Sequence, residues 1–198
     1  MIFKAAYFIF FTFAVFLRFF MRKKVLGMKK EKGRVVASWT ERAMFYSYVI
    51  MLFATLMEFA FLKRHENINF YVTGTGLFIY LFGITARNWA LKTLDKYWSL
   101  NIELRNGQEL IKRGPYRYLR HPNYFCHSLE VLGFPLIANS WYAFMFVLFV
   151  YIPVIMARTY IEDNELAKMF GEKYLNYRRE VWALFPIPIG KKGVKKDA

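Results

Sequence analysis

The sequence predicts an all-α integral membrane protein with about five transmembrane helices. Of its 198 residues, 57% are hydrophobic and 21% are aromatic, and the formal net charge is +15. Disordered chains contain few aromatic residues, whereas this chain has 22 Phe, 14 Tyr and 5 Trp. A surplus of both apolar and basic residues indicates a chain that meets hydrocarbon, anionic headgroups and cytosol.

Five apolar stretches approach the length of roughly 20 residues that a bilayer requires. They are residues 5–21, 43–62, 70–91, 124–138 and 141–157. Only Asn139-Ser140 separates the last two, so we expect them to form a helical hairpin. The first stretch lacks a small-residue cleavage site and ends at basic residues, so we interpret it as a retained span and not as a signal peptide.

Basic residues set the predicted orientation. They concentrate in residues 22–34, in residues 92–120 and in the tail after residue 157. The positive-inside rule therefore places the N-terminus outside and the C-terminus in the cytoplasm. Because these residues flank each inner membrane boundary and do not form one cluster, we expect no nucleic-acid binding.

The first polar constellation precedes the fourth predicted span. It runs from Gly114 to Tyr124 as Gly-Pro-Tyr-Arg-Tyr-Leu-Arg-His-Pro-Asn-Tyr. Gly-Pro predicts a turn, and Pro122 suits the first turn of a helix, whose N-terminus favours a carboxylate or phosphate. The alternative is a basic and aromatic belt at the membrane interface.

The second constellation follows the fifth predicted span. Arg158 and Glu162 are four residues apart on a helix and therefore share a face. An ordinary ion pair at a helix end is the alternative interpretation.

Together and in this order, the two constellations resemble the isoprenylcysteine carboxyl methyltransferase family, whose members are integral membrane enzymes that use S-adenosylmethionine. The residues that carry the resemblance are Gly114, Tyr116, Arg120-His121-Pro122, Tyr124, Arg158, Glu162-Asp163, Leu166, Phe170-Gly171, Tyr174, Tyr177 and Pro186. The chain departs from the family at Gln108, which is often His, and at Asp163, where the family has a second Glu. We expect both departures to retune the cofactor pocket.

The resemblance implies a small cytosolic pocket for S-adenosylmethionine. Carried over by position, the cofactor contacts would be Asn101, Gln108, Glu109, Leu110, Ile111, Tyr116, His121, Pro122, Asn123, Tyr124 and Glu162. Arg158 would face the substrate, and Arg158 and Glu162 would both be essential for catalysis. A lipophilic acceptor, prenylcysteine-like or a phenolic or pyrone lipid, would enter from the bilayer. We expect a single domain over residues 1–198, with three spans in 1–91 and the cofactor-binding and catalytic part in 92–198.

Glu130 is an ionisable residue inside the fourth predicted span. Asn123 and His127 precede it by seven and three positions, so the three form a polar stripe on one helix face. An ionisable residue at this depth favours a functional interpretation. We expect His127 and Glu130 to act as a base toward a hydroxyl substrate, or else to anchor neighbouring helices.

Other features give weaker signals. Glu58 is predicted near the outer interface, and Gly74 and Gly76 are predicted to serve helix packing. The spacing of His121, Cys126 and His127 matches no zinc signature, so we expect no metal. The alternative functions are a phospholipid N-methyltransferase, an NADPH-dependent reductase of the sterol or steroid kind, and an accessory membrane protein without activity.

Overall fold

Helices form most of the computed structural model, which describes residues 7–9, 12–13, 16, 33–62 and 68–185. The chain divides after Lys32 into two units, Met1–Lys32 and Gly33–Ala198, and the description below concerns the second. The predicted span 5–21 lies mostly outside the described residues, and Pro186 lies wholly outside them. The single domain over residues 1–198 stays a prediction.

Within residues 33–62 and 68–185 the structure has five helices and two short strands. In chain order they are β1 (Arg34–Val36), α1 (Ser38–Met57), α2 (Phe70–Leu94), β2 (Ile102–Leu104), α3 (Pro122–Ile137), α4 (Trp141–Phe170) and α5 (Glu172–Glu180). A π-helical turn, Glu58–Leu62, continues α1, and α4 is π-helical over Val147–Tyr151 and α-helical on either side. Short 3₁₀ turns at Asp95–Tyr97 and Gly114–Arg117 lie between α2 and α3.

The all-α prediction omitted a small β-ladder. β1 pairs with β2 in antiparallel register, with Val35 opposite Glu103. Each strand has three residues, which is too short for an alternating apolar pattern to be recognised. The ladder fixes the segment that follows α2, and this segment forms part of the site described below.

Two helices of the described residues are long and apolar enough to cross a membrane, Ser38–Phe61 and Trp141–Phe170. They contain most of the predicted span 43–62 and all of 141–157. The predicted span 70–91 is helical as part of α2, but its glycine and threonine residues and Arg87 lower its hydropathy. The predicted span 124–138 falls mainly in α3, which has only 16 residues. The count of five spans therefore stays a prediction.

Glycines let α2 and α3 pack against each other at very short range. A Cβ atom on Gly76 would lie 2.7 Å from the backbone nitrogen of Ile137, and one on Gly83 would lie 2.8 Å from that of Glu130. Small residues permit this kind of close backbone approach between membrane helices. The predicted packing role fits Gly76, whereas a Cβ on Gly74 would meet nothing within 4 Å.

Glu58 closes the end of the bundle at which α3 turns into α4. Its carboxylate accepts hydrogen bonds from the backbone amides of Trp141 (2.7 Å), Tyr142 (3.0 Å) and Ala143 (3.2 Å). The first amides of a helix have no partner within the helix, so this carboxylate caps α4. Glu58 therefore has a structural role.

Candidate active site

A cavity with about 820 Å³ of empty space lies among the segment after α2, the start of α3, the second half of α4 and α5. Ten of the eleven expected cofactor contacts line it: Asn101, Gln108, Glu109, Leu110, Ile111, Tyr116, His121, Asn123, Tyr124 and Glu162. Pro122 is not among the lining residues. The structure thus brings together residues from both predicted constellations, while their contact with a cofactor stays a prediction.

Asp163 lies on α4, behind the cavity wall, and joins the Arg120-His121-Pro122 segment and α5 to that helix. Its carboxylate accepts hydrogen bonds from Arg120 Nη2 (2.6 Å) and from the Tyr174 hydroxyl, and it lies 2.8 Å from His121 Nε2. Arg120 also donates to the carbonyl of Val181. Because Asp163 is 4% exposed and absent from the cavity lining, it holds the wall in place and does not itself shape the pocket.

Glu162 lines the cavity, unlike its neighbour Asp163. One oxygen of Glu162 accepts a hydrogen bond from the Tyr124 hydroxyl at 2.6 Å. Arg158 Nε donates to the same hydroxyl at 2.7 Å, and its guanidinium carbon lies 5.4 Å from the centre of the Tyr124 ring. The Tyr124 hydroxyl therefore bridges Arg158 and Glu162, which the i, i+4 spacing predicted to share one helix face.

Arg158 is buried and joins α4 to α1 and to the segment after α2. It is 2% exposed, and its other nitrogens donate to the Thr40 hydroxyl (2.8 Å) and the Leu100 carbonyl (2.6 Å). It is not among the cavity-lining residues. The expected contact of Arg158 with substrate stays a prediction, and its hydrogen bonds position Tyr124 and the segment after α2.

Three tyrosines supply uncharged donors and ring faces. Burial raises the pKa of the Tyr116, Tyr174 and Tyr177 phenols above the ordinary value, and nearby carboxylates raise it further. The Tyr177 hydroxyl donates to the carbonyl of Tyr116, which joins α5 to the segment before α3. These phenols therefore remain neutral at physiological pH.

Glu103, on β2, adds an anion to the cavity lining. Burial acts to raise the pKa of this carboxyl, but hydrogen bonds from the Gly33 amide and Ser99, together with the Arg105 guanidinium, hold it below its ordinary value. Glu103 is therefore ionised at physiological pH. It was not among the predicted site residues, since β2 gave no signal of its own.

His127 and Glu130 lie in a second polar cluster, which reaches the cavity through Asn123. Glu130 Oε2 lies 3.1 Å from Arg87 Nη1 and 3.4 Å from His127 Nδ1. His127 Nε2 lies 2.7 Å from the Tyr151 hydroxyl. Arg87 Nε donates to Asn123 Oδ1 at 3.1 Å, and Asn123 lines the cavity. The predicted polar stripe of α3 therefore faces a cation of α2.

Arg87 and Thr40 were not among the predicted site residues. Arg87 interrupts an apolar stretch, which is the signal that singled out Glu130, so it could have been found in the same way. Thr40 lies 118 positions before Arg158, and no local pattern links the two.

The donor set of the cavity fits S-adenosylmethionine. Lining carboxylates such as Glu162 suit the cationic sulfonium and ammonium groups, and tyrosine rings such as Tyr116 suit the adenine and the positive charge. The start of α3 offers a ligand fewer amides than predicted, because those of Tyr124 and Phe125 both donate to the His121 carbonyl at 3.1 Å.

Comparisons with known proteins identify a family and a fold that this chain resembles. Residues 76–168, from within α2 to near the end of α4, match the profile of the isoprenylcysteine carboxyl methyltransferase (ICMT) family. The solved structure of a eukaryotic intramembrane Ras methyltransferase, ICMT, superimposes with a TM-score of 0.58 and 20% identity over 77% of this chain and 54% of that chain. The resemblance predicted from the motifs is thus confirmed. Residues 76–168 match the ICMT family, and the chain has an ICMT-like fold.

Two bacterial relatives match shorter segments. Methanethiol S-methyltransferase of Crocosphaera subtropica is 39% identical over 77 residues, which is 39% of this chain and 29% of that protein. YpbQ, an uncharacterized protein of Bacillus subtilis, is 43% identical over 56 residues, which is 28% of this chain and 33% of that protein. The matches therefore span about a third of each of these relatives.

Proposed function

We propose that this protein is a membrane-embedded, S-adenosylmethionine-dependent O-methyltransferase that methylates a carboxylate or hydroxyl of a lipophilic molecule. The observation that carries the proposal is the cavity, in which residues 101–124 and Glu162 converge although they are distant in sequence. The named relatives act on a thiol and on isoprenylcysteine carboxyl groups. Fold and family therefore support the methyl donor better than the acceptor.

The residues of the cavity suit distinct tasks. When bound, S-adenosylmethionine supplies an electrophilic methyl group, which bonds to the acceptor oxygen as its bond to sulfur breaks. Glu162 would hold positive charge beside the ring of Tyr124, and Arg158 would keep Tyr124 in place. Holding the acceptor and the methyl group in a near-attack geometry accounts for much of the acceleration in such a transfer.

His127 and Glu130 are proposed as the base where the acceptor is a hydroxyl. A hydroxyl must lose a proton when its oxygen is methylated, whereas a carboxylate has none to lose. Asn123 connects this pair to the cavity through Arg87.

We place the cavity on the cytoplasmic side, with its acceptor entering from the bilayer. The segment between α2 and α3, which lines the cavity, carries many of the basic residues that predict the orientation. Membrane lipids would surround the apolar faces of the helices, and a prenylated or otherwise lipophilic acceptor would approach through them.

Calorimetric binding of S-adenosylhomocysteine and NADPH to the detergent-purified protein tests the proposal. We expect micromolar binding of S-adenosylhomocysteine, weakened about 10- to 100-fold in Glu162→Ala because a charged partner is lost. Glu172→Ala, which removes an exposed carboxylate of α5, is the matched control and should bind like the wild type. Binding of NADPH without binding of S-adenosylhomocysteine would contradict the proposal and favour the reductase.

A further inference from the structure

Residues 33–40, which we call the β1–α1 segment, lie against the wall of the cavity. β1, within this segment, pairs with β2, and all three residues of β2, Ile102–Leu104, line the cavity. The amide of Gly33 also donates to Glu103 Oε1 at 2.6 Å. The β1–α1 segment therefore holds one strip of the cavity wall, although it lies before residues 76–168, the part of the chain that matches the ICMT profile.

The same segment reaches the cavity wall a second time through Thr40. This residue is fully buried, and its hydroxyl accepts a hydrogen bond from Arg158 Nη1 at 2.8 Å. Arg158 Nη2 donates to the carbonyl of Leu100 at 2.6 Å, and the next residue, Asn101, lines the cavity. Arg158 Nε donates to the hydroxyl of Tyr124, another lining residue, at 2.7 Å. One guanidinium thus connects Thr40 to two parts of the wall.

The backbone at the start of α1 fixes the direction of the Thr40 hydroxyl. Ala37, with φ 49°, makes a left-handed turn between β1 and α1. The Thr40 hydroxyl donates its proton to the carbonyl of Ala37 at 2.8 Å, which leaves its oxygen lone pairs for another partner. Because a guanidinium can only donate, this oxygen is an acceptor already oriented toward Arg158.

The β1–α1 segment contacts α4 in two places, and the Thr40 contact is expected to be the stronger. Arg34 Nη2 lies 2.9 Å from Glu165 Oε2, but the arginine side chain is 70% exposed, and ion pairs in water contribute little. The bond between Thr40 and Arg158 is buried. A buried guanidinium that loses one partner must find another, so we expect it to move when the Thr40 hydroxyl is removed.

We propose that the β1–α1 segment is a positioning element of the cofactor site, and that Thr40 is the residue through which it acts. This proposal rests on the proposed function. Thr40 is not among the cavity-lining residues; it holds Arg158, which in turn holds Tyr124. The Tyr124 hydroxyl also donates to Glu162 at 2.6 Å. Displacement of the guanidinium would therefore shift a ring and a carboxylate that line the cavity.

Thr40→Val and Thr40→Ser separate the hydroxyl from the shape of the side chain. Valine keeps the branched shape and loses the hydroxyl, whereas serine keeps the hydroxyl and loses a buried methyl group. Calorimetry on the detergent-purified full chain measures the binding of S-adenosylhomocysteine. We expect it to weaken about 5- to 10-fold in Thr40→Val, less than for a direct hydrogen bond to a charged group because Thr40 acts through Arg158. In Thr40→Ser it should stay within about 2-fold of the wild type, whereas a merely structural role would weaken both variants, since serine leaves a small void.

Thr55→Val is the matched control. Thr55 is also a fully buried threonine of α1, about four turns further along the helix, and its hydroxyl donates to the Met51 carbonyl. Removal of this hydroxyl should leave the affinity for S-adenosylhomocysteine within about 2-fold of the wild type. In an Arg158→Met background, Thr40→Val should weaken binding no further, because the guanidinium that Thr40 holds is gone.

The Thr40 variants decide the proposal even if Arg158→Met fails to fold, and if Thr40→Val fails to fold, Thr40→Ala against Thr40→Ser gives the same comparison. Wild-type affinity without the hydroxyl, or equal weakening in Thr40→Ser or Thr55→Val, would overturn the proposal and leave the proposed function standing. Further weakening by Thr40→Val in the Arg158→Met background would overturn it in the same way. Failure of S-adenosylhomocysteine to bind the wild-type protein would overturn the proposed function, and this proposal with it.

Discussion

The two ends of the helical bundle both bury carboxylates, but they use them differently. At the turn between α3 and α4, the carboxylate of Glu58 accepts hydrogen bonds from three successive backbone amides. At the cavity end, Asp163 and Glu162 accept hydrogen bonds from side chains. These side chains belong to the segment before α3, to α3 and to α5. A carboxylate in an apolar helix therefore indicates a functional site when side chains from several elements converge on it beside a cavity.

The residues around the turn support the structural interpretation of Glu58. Asn139, with φ 54°, accepts a hydrogen bond from the Asn69 amide at 2.9 Å and donates to the Thr73 hydroxyl at 2.8 Å. These bonds join the turn to the start of α2. The turn end is thus closed by capping interactions, and none of its polar residues lines the cavity.

The largest effect on stability is expected for Asp163→Ala at the cavity end. The substitution leaves Arg120 and His121 without their buried partner, so the free energy of unfolding should fall by about 3–5 kcal/mol. Denaturant unfolding in mixed micelles measures the change. Glu162→Ala is the control, since Glu162 lines the cavity and accepts a hydrogen bond from Tyr124, and this variant should lose much less stability. Equal losses in the two variants would contradict the division of roles between these neighbours.

A smaller loss of stability, without a loss of ligand binding, is expected for Glu58→Ala. Loss of the cap on α4 should lower the free energy of unfolding by about 1–2 kcal/mol. The dissociation constant for S-adenosylhomocysteine should not change, because the cap is remote from the cavity lining. Calorimetry on the folded variant checks this, and a weakened affinity would show that the two ends are energetically coupled.

Local patterns made much of the site predictable. The segment from Gly114 to Tyr124 predicts a turn followed by the start of a helix, and the structure has both. The family resemblance identified the candidate site residues that precede this segment. The i, i+4 spacing of Arg158 and Glu162 predicted that they share a helix face, and both contact the Tyr124 hydroxyl.

Contacts between distant positions could not be predicted. Thr40 meets Arg158 across 118 positions, and Glu58 meets Trp141 across 83. No local periodicity encodes such pairs, which depend on how the helices pack.

A comparable loss is expected for Gly83→Ala, which concerns the α2–α3 contact. An added Cβ would lie 2.8 Å from the Glu130 nitrogen and 2.9 Å from the Cys126 carbonyl, so the helices must separate. Overpacking of this kind costs about 1–3 kcal/mol, because the atoms that the Cβ would meet belong to the α3 backbone and cannot rotate away. Gly74→Ala is the matched control, since its Cβ meets nothing within 4 Å and the change should be neutral or stabilising by up to about 1 kcal/mol.

Gly83 also lies one helical turn before Arg87, so separation of the helices should lengthen the Arg87–Glu130 ion pair of 3.1 Å. We therefore expect Gly83→Ala to lose stability and to weaken this ion pair, and Gly74→Ala to lose no stability. Denaturant unfolding of the two variants measures the difference. If Gly83→Ala were as stable as Gly74→Ala, the close approach of α2 and α3 would be wrong.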